Sequence, residues 1–257
     1  MVRRLLLVLL LFILPINVLA TDNDTRQSWD ELASKVLEFG KQEEFERAKV
    51  MLEQFAEVFP GSEGTDLSTT EMRIVLNTHN RALHSATAIN QESDQRVKAL
   101  TEFRLAVDAL VTEEQPIWRQ TDDKILGLIE EMKAAVDHKD YDVYERNLQT
   151  FLGSYSVIRP ALGIDLSTEL QQRLDSHIAF FENYGSSHKK ELLTQLETME
   201  TDFKEVYEGP VEENETSIVW MIFSIGGIIT VTLLYVLYRK YRGEKTDVKK
   251  YKQVEKD

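Results

Sequence analysis

The chain has 257 residues, 42% of them hydrophobic, and its 30 basic and 44 acidic residues give a net charge of −14. This acidic balance excludes a nucleic-acid-binding protein, which needs a basic face to attract phosphates. The sequence has no cysteine, which excludes a disulfide framework, thiolate metal sites and a cysteine nucleophile.

Residues 1–20 have the pattern of a secretory signal peptide. Arg3 and Arg4 precede an apolar run at residues 5–14, and small residues at Val18 and Ala20 precede the expected cleavage point. The apolar run is about half the length that a membrane-spanning helix needs. We therefore expect removal after Ala20.

Residues 21–217 are predicted to form an all-α domain whose halves, 28–115 and 116–210, each contain four helices. Ser28 with Glu31 and Ser68 with Glu71 have the spacing of capping boxes. Apolar stripes with helical spacing in the first half are Trp29, Leu32, Val36 and Phe39; Phe45, Ala48, Leu52, Phe55 and Phe59; Met72, Val75, Leu76, His79 and Leu83; and Leu100, Phe103, Val107 and Leu110. Those in the second half are Ile125, Leu128, Ile129, Met132 and Val136; Tyr144, Leu148, Phe151 and Tyr155; Leu170, Leu174, His177 and Phe181; and Leu192, Leu196, Met199 and Phe203. We interpret the predicted helices as αα-hairpins in a packed array or bundle.

The two halves are predicted to be a tandem duplication. The sequence GTDLST at residues 64–69 recurs as GIDLST at 163–168, and FER at 45–47 recurs as YER at 144–146. These and further matches keep their order at a spacing of 98 to 100 residues, which indicates an internal repeat. Whether the halves form one core or two stays open.

Residues 218–238 form an uncharged stretch that is predicted to be a single transmembrane helix, because 21 residues reach about 31 Å. Within it, Gly226 and Thr230 form a small-xxx-small pair that could allow two such helices to pack closely. The tail, residues 239–257, has a net charge of +4, which places it in the cytoplasm by the positive-inside rule. The helical domain, with a net charge of −20, is then expected on the outer side of the membrane.

Two histidines are the candidate functional residues of the domain. His79 and His177 occupy equivalent places on their apolar stripes. The simplest interpretation is that each forms a hydrogen bond inside its own half. The sharper hypothesis is a pH-responsive pair, because a buried histidine must become charged on acidification. The sequence shows no nucleophile motif, phosphate loop or metal-binding spacing, so no catalytic residue, metal or cofactor is predicted.

Four stretches resemble the family of sporulation proteins called YpjB, from spore-forming relatives of Bacillus. They are SWDEL at 28–32, EMRIV at 71–75, TEFRLAVDAL at 101–110 and QRLDSHI at 172–178. The resemblance spans most of the chain, leader and anchor included. It implies a membrane protein connected with endospore formation, and it brings no catalytic or binding residues to transfer.

We therefore expect a non-catalytic, membrane-anchored protein whose exported helical domain interacts with an unknown membrane or envelope protein during sporulation. One alternative is an extracytoplasmic sensor, or an accessory subunit of a membrane complex, that binds a small ligand and signals through the membrane helix. A further alternative is a cryptic hydrolase, which would need a single essential acid or histidine.

Overall fold

The computed structural model describes residues 19–59, 67–184 and 191–209, and two isolated helical positions, Thr232 and Tyr235. Eight α-helices, one short 3₁₀ helix and no strand occur in these residues, which confirms the all-α prediction. The helices are α1 Leu19–Lys41, α2 Phe45–Val58, α3 Thr69–Thr87, α4 Ser93–Val111, α5 Asp122–Asp137, α6 Tyr141–Asp165, α7 Thr168–Tyr184 and α8 Leu192–Glu208. The 3₁₀ helix, Ile117–Thr121, connects α4 to α5, so four of the described helices precede it and four follow.

Each half begins with a helical hairpin that uses the same tight turn. After α1, Glu43 has a φ of 60° and the Glu44 N–H donates to the Phe39 carbonyl at 2.9 Å. After α5, Lys139 has a φ of 58° and the Asp140 N–H donates to the Ala135 carbonyl, also at 2.9 Å. A left-handed residue followed by this backbone bond closes the C-terminus of each first helix.

In the first half, α1 packs on α2 and α4, and α3 packs on the same two helices. The stripes predicted for α2 and α4 are confirmed, because all their members are buried. The rings of Phe55 on α2 and Phe103 on α4 meet edge to face with centroids 4.9 Å apart. Such aromatic pairs contribute roughly 0.5–1.5 kcal/mol beyond the burial of their surface.

The second half repeats this arrangement, with α5 and α7 each in contact with α6 and α8. The predicted stripes of α6 and α8 are buried throughout. Phe151 on α6 meets Phe203 on α8 edge to face at 5.7 Å, as Phe55 meets Phe103 in the first half. The same helix order and the same kind of aromatic pair therefore recur in both halves.

The two halves share one core, which resolves the question that the sequence left open. A single cluster of buried apolar side chains includes members of every helix. Helix α4 lies at its centre, with α1 and α3 on one side and α6 of the second half on the other. Residues 102–110 of α4 are all buried, charged ones included, as expected for a helix covered on all sides.

Two local predictions in the first half are wrong. Ser28 lies inside α1, where its hydroxyl donates to the Thr25 carbonyl at 2.8 Å, so it does not cap a helix. On α3, Met72 and Leu76 are exposed by 41% and 38%, so they lie outside the buried stripe. The buried face of α3 is instead formed by Val75, Thr78, His79, Ala82, Ser85 and Ala86.

The capping box of α3 is confirmed. The Ser68 hydroxyl accepts the Glu71 N–H at 3.2 Å, and the Glu71 carboxylate accepts the Ser68 N–H at 2.6 Å. The Ser167 hydroxyl likewise accepts the N–H of Leu170 at 3.3 Å, at the start of α7. The two capping serines are 99 residues apart, so α3 and α7 begin at corresponding positions of the two halves.

The predicted segments that concern the membrane lie almost entirely outside the described residues. They are the signal peptide 1–20, of which Leu19 and Ala20 are described as part of α1, the span 218–238, of which only Thr232 and Tyr235 are described, and the tail 239–257. Among the helices of the described ranges, none is both long enough and apolar enough to cross a membrane. The membrane span and the cleavage therefore stay predictions.

Candidate functional site: a groove between the halves

A groove of about 770 Å³ lies where α3 of the first half meets α6 and α7 of the second. Its volume falls in the range of typical ligand pockets, roughly 300–1,000 Å³. The polar or charged residues that line it are Thr70, Arg73, Asn77, Thr78, Asn80, Arg81, Tyr155, Ser156, Arg159, Gln171 and Asp175. The apolar part consists of Ile74, Pro160, Leu162 and Gly163.

The α6 wall of the groove depends on a proline and a glycine. Pro160 lies inside α6 and has no N–H, so the Ser156 carbonyl one turn earlier lacks the usual helical donor. At Gly163, an added Cβ would lie 3.0 Å from Ile74 Cδ1 and 3.1 Å from Gln171 Nε2. The missing side chain therefore permits α3 and α7 to approach α6 at this point.

The charged groups on the α6 and α7 walls pair with each other. Arg159 donates from Nε and an Nη atom to the two carboxylate oxygens of Asp175, at 2.9 Å and 2.8 Å. The Tyr155 hydroxyl donates to the same carboxylate at 3.1 Å. The hydrogen bonds from Arg159 hold the pKa of Asp175 below its ordinary value, and burial raises the pKa of Tyr155. Asp175 is therefore a poor proton acceptor near neutral pH.

The α3 wall carries polar side chains that make no hydrogen bond or ion pair within the described structure. Thr70, Arg73, Asn77 and Asn80 are spaced by three, four and three residues, which places them along one face of the helix. Arg73, Asn77 and Asn80 are exposed. Further along α3, Arg81 forms an ion pair with Glu102 of α4 at 3.1 Å. The free hydrogen-bonding capacity of the groove thus lies mainly on α3.

A second polar cluster lies buried at the junction of the halves. The Trp118 indole N–H of the 3₁₀ helix donates to Asp165 at the end of α6, and the Ile117 N–H donates to Asp108 of α4. Burial is the main cause that raises the pKa of Asp165 to about 7, and the nearby Asp108 carboxylate adds to it. Asp165 is 6% exposed, so we assign it to the structural link between the halves.

The structure places His79 and His177 in separate halves and in different surroundings. His79 is 5% exposed, its Nε2 lies 2.8 Å from the Leu52 carbonyl oxygen, and its ring stacks on Phe55. A carbonyl only accepts, so Nε2 carries the proton. His177 Nε2 lies 2.8 Å from an Asp202 carboxylate oxygen between α7 and α8.

The positions of the helix caps explain why the two histidines have different surroundings. An offset of 99 residues aligns His79 with Ile178, which is also buried, whereas the sequence match aligned it with His177 at an offset of 98. One residue corresponds to a rotation of about 100° around the helix axis. His177 therefore lies on a different side of its helix from the position that corresponds to His79, and the two histidines do not form a joint site.

The remaining predicted positions, Gly226 and Thr230, lie outside the described residues. Within the described ranges, no group of three or more His, Asp or Glu side chains has the arrangement of a metal site. The groove residues Arg73, Asn77, Asn80 and Arg159 were missed in the sequence. Their helical spacing on α3 is visible there, but polar residues at that spacing occur on most surface helices.

The fold and the groove define a class: a tandem pair of four-helix units with a shared core and an open polar groove between them. The family model described as Sporulation protein YpjB (SpoYpjB) matches residues 27–250, and the chain belongs to this family. The protein of Bacillus subtilis (strain 168) described as "Uncharacterized protein YpjB" is 26% identical over 241 residues, which is 91% of each chain. No solved structure matches the chain.

Proposed function

We propose that this protein is a non-catalytic, single-pass membrane protein that acts in endospore formation by binding another envelope protein through its exported helical domain. The observation that carries the proposal is the groove across the two halves, with hydrogen-bonding groups on α3 that have no partner in the described part of the chain. Membership of the sporulation family supports the process in which the protein acts. The leader, the uncharged stretch 218–238 and the basic tail support the membrane topology.

The chemistry of the groove supports binding over catalysis. Its carboxylate, Asp175, is held by Arg159 and has a lowered pKa, so it is a poor general base or acid near neutral pH. Asp165, whose pKa of about 7 would suit proton transfer, is buried in the structural junction. The arginine and amide side chains instead provide positions for recognition.

The proposed function is tested by cross-linking and co-purification from sporulating cells. The tagged full chain is expected to retain one specific envelope protein after cross-linking and detergent extraction. A matched sample in which residues 218–257 are deleted is expected to recover less of it, because the released domain is no longer concentrated at the membrane beside its partner. If the full chain retains no envelope protein at any stage of sporulation, the proposed function is wrong.

The volume of the groove favours a second candidate function, an extracytoplasmic sensor or accessory subunit that binds a small ligand. A bound ligand would raise the melting temperature of the full chain, because ligands that bind only the native state stabilise it. Deletion of the tail, residues 239–257, separates the two functions. A sensor needs a cytoplasmic output and would fail, whereas a tethered interaction domain is expected to tolerate the deletion.

A further inference from the structure

We propose that the groove between α3, α6 and α7 binds an extended acidic segment of the partner protein, with Arg73 contacting a carboxylate and Asn77 and Asn80 contacting the peptide backbone. This inference rests on the proposed function, which supplies a protein partner. It adds the place of binding and the chemistry that the partner must present.

The first argument concerns Arg73, the arginine of the groove that has no counter-charge among the residues that the structure describes. Arg159 forms two hydrogen bonds with Asp175, and Arg81 pairs with Glu102. Arg73 is exposed at the same groove and has no ion pair or side-chain hydrogen bond in the described structure. A guanidinium group presents a planar set of donors that matches a carboxylate. The groove therefore offers one charged position for an acidic side chain.

The second argument concerns the length of the α3 wall. From Thr70 to Asn80 the helix advances ten residues, or about 15 Å. An extended peptide advances about 3.3 Å per residue, so this wall accommodates four to five residues. Asn77 and Asn80 each carry an amide that donates and accepts hydrogen bonds, which is what a peptide backbone requires. The dimensions and the chemistry of the wall thus suit an extended chain.

The third argument concerns the charge of the rest of the domain. Residues 21–217 have a net charge of −20, so most of the surface repels an acidic segment. The described lining of the groove instead holds three arginines and one carboxylate, Asp175, so an acidic segment is attracted to this part of the surface. A basic partner would be attracted over much of the surface without selection of the groove.

The test measures binding of the full chain in detergent to an array of heptapeptides. The peptides contain zero to four Glu residues in a neutral background of Ala, Ser and Val. We expect binding to increase with the number of Glu residues, and Arg73→Glu to reduce binding of the acidic peptides at least about tenfold, because a charged hydrogen bond is lost and a repulsion is gained. Arg73→Lys is expected to retain part of the binding, since the charge remains but the planar set of donors is lost.

Arg146→Glu is the matched control. Arg146 is an exposed arginine on α6 that lies outside the groove, 13 residues or about 20 Å along the helix from Arg159. The Arg146→Glu variant has the same net charge as Arg73→Glu, and it is expected to bind the peptides as the wild type does. Equal losses in both variants would show a general charge effect and would overturn the inference.

Three other results would also overturn it: no binding of acidic peptides, no dependence on Arg73, or Arg73-dependent binding of inorganic phosphate without binding of peptides. The last result would indicate a site for small anions. The two proposals fail separately. If a partner co-purifies equally with the wild type and with Arg73→Glu, the groove assignment fails and the proposed function stands. If acidic peptides bind through Arg73 but no envelope protein is retained, the proposed function fails.

Discussion

At the scale of single residues, the pKa of the Asp165 carboxyl group is shifted further from its ordinary value than that of any other described aspartate. The side chain is 6% exposed and accepts a hydrogen bond from the Trp118 indole. The groups that act on it are Asp108, which raises its pKa with burial, and Trp118 and Arg119, which lower it. Glu71 at the start of α3 also raises it. Burial dominates, and the acid is half-protonated at about pH 7.

Asp165 is expected to make the folded protein less stable as the pH rises. Between the ordinary pKa of 3.8 and the folded value of about 7, the native state binds more protons than the unfolded state. The contribution of Asp165 to the unfolding free energy is therefore complete below pH 3.8 and is lost as the pH rises through 7. The total loss is at most about 4 kcal/mol. Asp165→Asn keeps an acceptor for Trp118 and is expected to raise the unfolding free energy at pH 8 and leave it nearly unchanged at pH 4. Urea titrations at both pH values measure the difference.

Asp175→Asn serves as the control for this experiment. The pKa of Asp175 is lowered, so its contribution to stability is present above its unfolded pKa and is lost only as the pH falls through the folded value. This variant is expected to destabilise the protein by similar amounts at pH 4 and pH 8. If the stabilities of wild type and Asp165→Asn change with pH in parallel, burial does not hold Asp165 protonated.

At the scale of the helices, close approach explains the position of one glycine. A Cβ at Gly40, near the end of α1, would lie 2.4 Å from Cδ1 of Leu100, which is fully buried on α4. We expect Gly40→Ala to destabilise the protein by roughly 1–3 kcal/mol, because a filled core resists extra atoms. Gly127→Ala on α5 has open space and is expected to be neutral or to stabilise by up to about 1 kcal/mol. Chemical denaturation measures the unfolding free energy of both variants. Equal changes in the two would contradict the close contact between Gly40 and Leu100.

The caps provide a second prediction at this scale. Ser68→Ala removes a capping box from α3 and is expected to cost about 1 kcal/mol of stability. Ser28→Ala changes a residue in the interior of α1 and is expected to cost less than about 0.5 kcal/mol, since alanine is a better helix former there. Melting temperatures of the two variants test this order. A larger loss of stability for Ser28→Ala would show that Ser28 caps a helix, as the sequence predicted.

The helices show which sequence signals were sufficient. The stripes of α2, α4, α6 and α8 and the cap at Ser68 depend on local spacing, and they are found as predicted. The pattern at Ser28 is the same local signal, but α1 begins at Leu19 and extends past it. Pro160 would ordinarily end a helix, yet α6 continues to Asp165, because the packing of buried residues on both sides of the proline overrides the local signal. The predicted stripe of α3 placed Met72 and Leu76 on the wrong face.

The groove could not be predicted because it depends on how the halves meet. Arg73 and Asn77 read in the sequence as ordinary exposed residues of α3. They line a groove only because α6 of the second half packs beside α3, with Gly163 at the close contact. The histidine pair was suggested by sequence alignment of the halves, and a difference of one residue in the offset placed His177 on another face.

At the scale of the whole molecule, the shared core predicts that the described helical region unfolds as one unit. Helix α4 contributes buried side chains to both halves, so neither half buries its apolar surface without the other. We expect helicity measured by circular dichroism and the intrinsic tryptophan fluorescence, to which the buried Trp29 and Trp118 contribute, to change at the same urea concentration. Two separate transitions, with the fluorescence following only one of them, would show that the halves are independent.

The central proposal is that the helical domain and its groove face the outside of the cell membrane while the tail lies inside. The natural chain has no cysteine, so a single introduced cysteine reports its own accessibility. In intact protoplasts, a membrane-impermeant maleimide is expected to label Asn80→Cys on the exposed groove wall. It is expected to label Lys252→Cys only after the membrane is permeabilised. Labelling of Lys252→Cys in intact protoplasts, or protection of Asn80→Cys until permeabilisation, would contradict this account.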